Sequence, residues 1–537
     1  MSAWTVGAED LVLREHGEPR LLLGGQVHNS SSSSPAAIRE SFAHVRRLGG
    51  NTVIAPVSWA LTEPDEGSFD FRLVDEMIRH AVAQGLRLVP LWFGAFKNAG
   101  SGYAPRWVRA DRARFPRAVV TAAKAGRAFD YAGATPLPVL SAFSPDLREA
   151  DARAFEAFIA HLAGNDDTDA VALVQVENET GLLRDSRDRS DIAAAAWADA
   201  VPPRLIDAAR VSGPESMLGM LWRERGGRSS GTWSEVLGDG PDADEVFMAW
   251  AIGSYVEELA ARGRAIKEIP MYANAWLGPQ PGQEEPGQWP SGGPSGRVID
   301  VWHAAAPSLA LVGPDIYVDD AAPVMRTYAS GGQPLFVPEC RLRAAELVRA
   351  IGAFGAIGWS GFGIDGANPD GQVAATLGLL AALETPIATA QAEGRIAGLV
   401  VEEGCKTADA VIGDLEVSAR GVTGLLRDFL LDVGVQLPEE ALPVPDETLP
   451  GEAVPAPGEQ RPFALVFAEA DDAFIVIGRD VKVDFASAGA PVEYDEVVEL
   501  LLEDGGLVEG RVLNGDERLQ IVPLDRVGAA RVRLLRT

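Results

Sequence analysis

Residues 309–339 read LALVGPDIYVDDAAPVMRTYASGGQPLFVPE. Two continuous apolar runs flank a stretch long enough for a helix, and neither run alternates apolar with polar. Strands buried on both faces have this composition, and parallel strands joined by helical crossovers are buried on both faces. The pattern repeats outward from this stretch. RLLLGG (from Arg20) precedes a helical segment near Ala36–Arg47, and TVIAPV (Thr52–Val57) precedes one near Val74–Gln84. LRLVPLW, AVALVQV and IPMYANA follow before the quoted stretch, and FGAIGWSGFG comes after it. Eight strand candidates in βα alternation predict an α/β fold, a (β/α)8 TIM barrel with its helices outside. An open doubly wound sheet is the competitor, but no G-x-G-x-x-G follows RLLLGG to support it.

Several connections are long: residues 93–144, the stretch from strand four to about Asp244, and the Gly/Pro-rich GPQPGQEEPGQWPSGGPSG from Gly278. Loops that follow barrel strands gather at the C-terminal face, where barrel enzymes keep their chemistry. Past Gly394 the pattern changes to short strands: RIAGLVVEE, ADAVIGDLEVSA, FALVFAEADDAFIVIG and VKVDFA, with an Asn-Gly turn signal in GRVLNGDERLQIVPL. The expected organisation is a catalytic barrel over residues 1–394 and a mostly β C-terminal domain over 395–537. A Pro/Glu-rich surface loop is expected near 436–462.

Bulk properties exclude several classes. The net charge of −30 over 537 residues disfavours a phosphate backbone or an anionic lipid as partner. No apolar run reaches the roughly 18–20 residues of a membrane helix, and MSAWTVGAEDL lacks the pattern of a secretory signal. The expectation is a cytoplasmic protein acting on a small substrate, with no nucleic acid or membrane partner and with a homo-oligomer left open. Cys340 and Cys405 have no metal-ligand spacing and are expected to be buried free thiols. The six histidines, at 16, 28, 44, 80, 161 and 303, are scattered, so neither a metal nor a cofactor is implied.

The sharpest local feature is VALVQVENETG (171–181), which sets Glu177, Asn178 and Glu179 directly after a buried strand. Polar residues there are costly unless they are paired or face a solvent-lined rim. Glu339 ends the strand of QPLFVPEC in the same way. Two carboxyl groups at the mouth of one barrel are what glycoside hydrolysis needs, one protonated and one as nucleophile or base. Glu177 is expected to orient a neighbour or form a structural ion pair, and Glu63 in WALTEPDEG is either sugar-binding or structural.

An Asn-Glu on strand four with a Glu on strand seven resembles the large barrel clan of retaining glycosidases. VQVENETG resembles the acid/base motif of glycoside hydrolase family 35, the β-galactosidases. The strings VSWALTEPDEGSFDF, LVPLWFGAFKNAGSGYAPRWV, DADEVFMAWAIGSYVEEL, MYANAWL, WPSGGP, PDIY and FVPEC resemble a branch of that family with a β-rich C-terminal domain. The resemblance implies Glu179 as proton donor and Glu339 as nucleophile. Thr180 stands where many members carry Tyr.

Sugars also need aromatic faces and polar groups. Trp59, Trp276 and Trp359, read at the ends of strands two, five and eight, are the aromatic candidates. Trp92 is read as site or core, and the remaining loop and helix tryptophans as packing. Gln26, His28, Lys97, Asn98, Asn178, Asn274 and Tyr317 are the polar candidates, with Tyr317 placed to bond Glu339; Asp365 is a weaker one. Within this chemistry another β-glycoside, an α-L-arabinoside or a transglycosylation remains open, and a non-catalytic sugar-binding barrel is the reading from another class.

Overall fold

The eight apolar runs are the strands of one closed parallel sheet in the computed structural model, which describes residues 3–121, 139–423, 432–433, 461–503 and 505–537. They are β1 (Leu22–Gln26), β2 (Thr52–Ser58), β3 (Arg87–Lys97), β4 (Val174–Asn178), β5 (Met271–Trp276), β6 (Leu311–Ile316), β7 (Phe336–Val337 with Glu339–Cys340) and β8 (Gly358–Phe362). Pro338 has no N–H for the ladder, and it splits β7 into two pieces. The first piece pairs with β8 and the second with β6, while β8 pairs with β1 and closes the ring.

Period two along each strand sorts the side chains. Leu22, Ile54, Leu91, Tyr272, Leu311 and Phe336 fill the barrel's interior, and Trp4 and Leu13 from short N-terminal strands pack under them. Leu23, Val53, Ala273 and Val312 face the outer helices. Gln26, Asn274 and Asp315 share the inward parity of Leu22, Tyr272 and Leu311 and therefore end their strands pointing into the mouth.

Helix starts follow local chemistry. Ser34 accepts the Ala37 N–H and Pro35 opens the helix Pro35–Arg47; Ser144 and Pro145 do the same for Pro145–Asn165. The second expected helix is Arg72–Gln84, ended by Gly85 at φ +64°. Among the described residues no single helix is long and apolar enough to cross a membrane.

The last barrel helix, Glu384–Ala392, leads into strands β9 (Ile396–Val400), β10 (Thr407–Ile412) and β11 (Leu415–Gly421). After the undescribed stretch come β12 (Phe463–Ala470), β13 (Ala473–Arg479), β14 (Val481–Ser487), β15 (Val492–Glu503), β16 (Gly506–Val512) and β17 (Gly528–Arg536). They form a six-stranded sheet, β9-β12-β13-β17-β15-β16, and a three-stranded one, β10-β11-β14. One face of the larger sheet (Phe463, Leu465, Phe467, Ile475, Ile477) joins the barrel's core, and the other (Ala464, Val466, Phe474, Val476) packs with the smaller sheet. Residues 463–468 read as an unbroken apolar run because both of their faces are buried.

Two expectations change here, and a third goes untested. Cys340 is buried, but Cys405 is exposed in the turn between β9 and β10. Asn514-Gly515 opens a short 3-10 helix, Gly515–Leu519, and does not close a two-residue hairpin. The Pro/Glu-rich loop lies outside the described residues for all but its last two positions.

Candidate active site

Glu177, Asn178 and Glu179 sit where β3 and β4 lose register. From Trp92 to Lys97, β3 advances five residues while β4 advances two, from Val176 to Asn178. The extra residues arch away from the ladder, and their backbone N–H groups need acceptors. Glu177 supplies them: its Oε1 accepts from Ala95 N at 3.1 Å and its Oε2 from Phe96 N at 2.8 Å. Asp151, from the helix Pro145–Asn165, accepts from Ala95 N at 3.0 Å, Trp92 Nε1 at 3.0 Å and Tyr255 OH at 2.8 Å. Burial pushes Glu177 well above the usual carboxyl range, and the adjacent Asp151 adds to the shift. Glu177 is therefore one half of a buried carboxyl–carboxyl pair that orients the neighbouring β3 backbone, the first of its two expected roles; among the described residues it forms no ion pair with a cation. Gly94 makes room for it, since a Cβ there would lie 2.4 Å from Trp92 Nε1 and 2.6 Å from Glu177 Oε1.

The arch returns Lys97 to register opposite Asn178, and Lys97 Nζ donates to Asn178 Oδ1 at 2.8 Å from a position 4.9 Å above the Phe93 ring. Glu179 follows in the left-handed region, at φ +43°, and Glu177 is there as well, at +61°. Each non-glycine residue there costs about 1 kcal/mol or more. Fixed partners hold the turn: Glu179 N donates to Asn274 Oδ1 at 2.8 Å, and Ala99 N donates to Glu179 O at 2.9 Å. Asn98, after β3, also has positive φ, at +51°.

Glu339 enters from the opposite wall. Tyr317 OH donates to its Oε1 at 2.6 Å, while its Oε2 is buried with no protein donor. Between the two glutamates stands Asp315, whose Oδ2 accepts from Asn274 Nδ2 at 2.5 Å. One oxygen from each of Glu179, Asp315 and Glu339 falls within 4.8 Å of the others. All three residues are almost fully buried. Burial raises the Glu179 carboxyl to about 7, the negative charge of Glu339 adds to that, and Lys97 opposes it. Burial also pushes Asp315 well above its ordinary range, as do the charges of Glu339 and Glu179. Among the described residues these three acids are the group crowded enough to hold a cation. The raised proton affinities of Glu179 and Asp315 and the donors from Tyr317 and Asn274 suit a proton-sharing group better.

Glu179, Glu339, Asn178, Lys97, Asn274 and Tyr317 thus form one connected constellation. Gln26 ends β1 fully buried with both amide atoms lacking a protein partner, a donor and an acceptor left for something that enters the barrel. Trp276 ends β5 half-buried at the rim. His28 is a rim residue held by Asp365, with Nδ1 at 2.8 Å from Oδ1, and its ring stays largely exposed.

Other candidates are placed elsewhere. Trp59 is fully buried in a short helical turn after β2, and its Nε1 donates to Glu63 Oε2 at 2.7 Å. Glu63 also accepts from Gly67 N at 2.7 Å and lies 3.5 Å from Arg153, so the pair braces a loop. Trp359 is the second residue of β8, not its end, and is fully buried; its Nε1 has no protein partner. Trp92 is core, stacked on Phe158 and bonded to Asp151.

The sequence reading missed Asp315 and Asp151. Asp315 carried a usable signal, a lone acid closing an apolar strand run in LVGPDI. Asp151 carried another, an acid spaced with Leu147, Phe155 and Phe158 on the buried face of its helix.

Residues 29–209 match the model of the Glyco_hydro_42 family, described as beta-galactosidase, and residues 373–524 match a domain of unknown function, DUF5597. A beta-galactosidase from Xanthomonas manihotis is 33% identical over 110 residues, covering 19% of this chain and 18% of that protein. Among solved structures, a beta-galactosidase from Bacillus circulans sp. alkalophilus aligns with TM-score 0.40 and 16% identity over 64% of this chain and 50% of its own. One from Rahnella sp. R3 aligns with 0.43 and 15% over 69% and 57%. An exo-beta-1,4-mannosidase from Opitutaceae bacterium strain TAV5 aligns with 0.37 and 12% over 67% and 53%. The chain spans about half the length of these solved proteins and less than a fifth of the curated relative. The Glyco_hydro_42 match falls on the first half of the barrel.

Proposed function

We propose that this chain is a retaining glycoside hydrolase that cleaves small β-galactosides by double displacement. The observation that carries the reading is the approach of Glu179 and Glu339, with an oxygen of each within 4.8 Å. Retaining pairs stand about 5–5.5 Å apart, whereas inverting pairs leave about 6.5–9.5 Å for a water. Glu339, held by Tyr317, attacks the anomeric carbon. Glu179, protonated up to about pH 7, gives its proton to the departing oxygen. Glu179 then takes a proton from water as the water oxygen bonds to the anomeric carbon and the glycosyl–Glu339 ester breaks, which frees Glu339 as a carboxylate and releases the sugar with its configuration kept. Galactose as the sugar rests on the Glyco_hydro_42 match and on the family 35 resemblance of VQVENETG, and the family within the clan belongs to this same proposal.

The test is hydrolysis of a panel of p-nitrophenyl glycosides by wild type, Glu179→Ala and Glu339→Ala, with and without azide. The expected result is β-galactoside cleavage lost in both variants, with an α-glycosyl azide from Glu339→Ala and a β-glycosyl azide from Glu179→Ala. Cleavage of a different glycoside alone overturns the sugar, and product of inverted configuration from the wild type overturns the mechanism. Transfer to an added acceptor sugar in preference to water makes the chain a transglycosylase with the same residues in the same roles.

A further inference from the structure

Asp315 ends β6 on the inward face, between two carboxyl groups, and the geometry asks how it is satisfied. Its Oδ2 accepts from Asn274 Nδ2, but its Oδ1 is buried with no protein N–H or O–H donor. A buried carboxylate oxygen without a donor carries an uncompensated desolvation cost. The same oxygen has a favourable place if it bears a proton, because carboxyl oxygens of Glu179 and Asp315 come within 4.8 Å of each other and Asn274 ties the two residues together, so a proton on Asp315 lets it donate to Glu179. We propose that Asp315 is a neutral hydrogen-bond donor to Glu179, a positioning residue that steadies the acid/base in both of its protonation states.

The inference rests on the reading of Glu179 as acid/base. When Glu179 has given its proton to the leaving oxygen it is a carboxylate, and the Asp315 O–H, with Lys97 nearby, stabilises that charge. When Glu179 recovers a proton from water, Asp315 still holds its own, so no proton leaves Asp315 at any step. Asn274 keeps the geometry fixed, since one side chain bonds both Glu179 N and Asp315 Oδ2. Glu179 faces it from β4, Glu339 and Cys340 from β7, Tyr317 from beyond β6, Tyr272 from β5 and Tyr328 from the following helix; the cation is Lys97 of β3. Glu339 must be ionised to attack, so an ionised Asp315 would put two negative charges against Glu179 in a buried site.

The two states of Asp315 predict opposite signs. Infrared pH titration of the folded full-length protein, carrying 13C-carboxyl glutamate, reads Glu179 directly once its band is identified by its loss in Glu179→Gln. Removing a neutral donor with Asp315→Ala raises the Glu179 midpoint from about 7, by about one pH unit. Asp315→Asn leaves it near the wild-type value, because the amide N–H donates in place of the O–H. A midpoint that falls in either variant overturns the proposal, since that is the effect of deleting an anion. Should Asp315→Ala not fold, 13C-aspartate labelling decides with the isosteric variant alone. A protonated-carboxyl band at pH 7 that disappears in Asp315→Asn supports the proposal, and identical spectra overturn it. These readouts need no substrate, so a wild type inactive on every glycoside would sink the functional reading and leave this one measured.

Discussion

Glu177 and Glu179 are two residues apart on one strand end, and each sits in a crowd of acids. In the Asp151–Glu177 pair all four carboxyl oxygens have donors, from Trp92, Tyr255 and the arched backbone of β3. In the Glu179–Asp315–Glu339 group, Asp315 Oδ1 and Glu339 Oε2 have none. Both groups are buried and each holds two carboxyl groups of raised proton affinity, Asp151 and Glu177 in one, Glu179 and Asp315 in the other, so neither property separates structure from chemistry. What separates them is hydrogen bonding. A satisfied cluster holds the backbone in place, and an unsatisfied one has capacity left for a substrate.

The comparison breaks if the wrong cluster proves catalytic. Glu179→Gln should lower kcat by about 10²–10⁴-fold on glycosides with poor leaving groups. Glu177→Gln, by contrast, keeps a side chain able to accept one arch N–H and should leave the pH profile in place. Steady-state rates on alkyl glycosides check both. In the wild type, activity should fall as pH rises through about 7, as Glu179 loses the proton it must donate.

Stability should answer in the other order. Asp151→Ala strips Trp92 Nε1 and Tyr255 OH of their acceptor, and each buried donor left unsatisfied costs about 1–3 kcal/mol. Denaturant midpoints at constant slope would show it, and a loss under 1 kcal/mol would mean that the arch holds without the pair.

The proposed catalytic group should instead cost stability in a pH-dependent way. Glu179 has a higher pKa folded, about 7, than unfolded, near 4.5, so its neutral form favours the fold. Its contribution is complete below pH 4.5 and is lost as pH rises through 7. Glu179→Gln should therefore match wild type at pH 4 and exceed it at pH 8, by on the order of 3 kcal/mol. Thermal unfolding across that range measures the crossover, and parallel curves would refute the assignment.

The smallest effect belongs to the loop brace. Glu63→Gln keeps one acceptor for Trp59 or Gly67 and should cost about 1 kcal/mol with kcat unchanged. A drop in kcat of tenfold or more would return Glu63 to the site.

The barrel was legible because eight buried strands write themselves as apolar runs, and the reading of residues 309–339 extends to all of them. Glu179 and Glu339 were legible as acids that interrupt such runs. The arch in β3 was not, since LVPLWFGAFK reads as one continuous strand, and only pairing with β4 shows where the ladder lapses. Asp315 had the same local signal as Glu339, but its role depends on Asn274, 41 residues earlier. Trp59 was placed near the right strand end, yet its indole faces Glu63, and a sequence position does not say which way a ring turns.

Gly352, in the barrel helix Ala344–Ala353, comes so close to β9 that an added Cβ would lie 2.5 Å from Gly398 N. Phe463, Leu465 and Phe467 of β12 belong to the same core as Leu347 and Val348 of that helix. During synthesis the eight barrel strands leave the ribosome before β12 exists. For the time taken to translate residues 363–467 the nascent barrel carries a greasy, backbone-tight seam open to solvent. Shortening the chain after the barrel leaves this seam uncovered and should give an aggregating product, not a smaller folded protein.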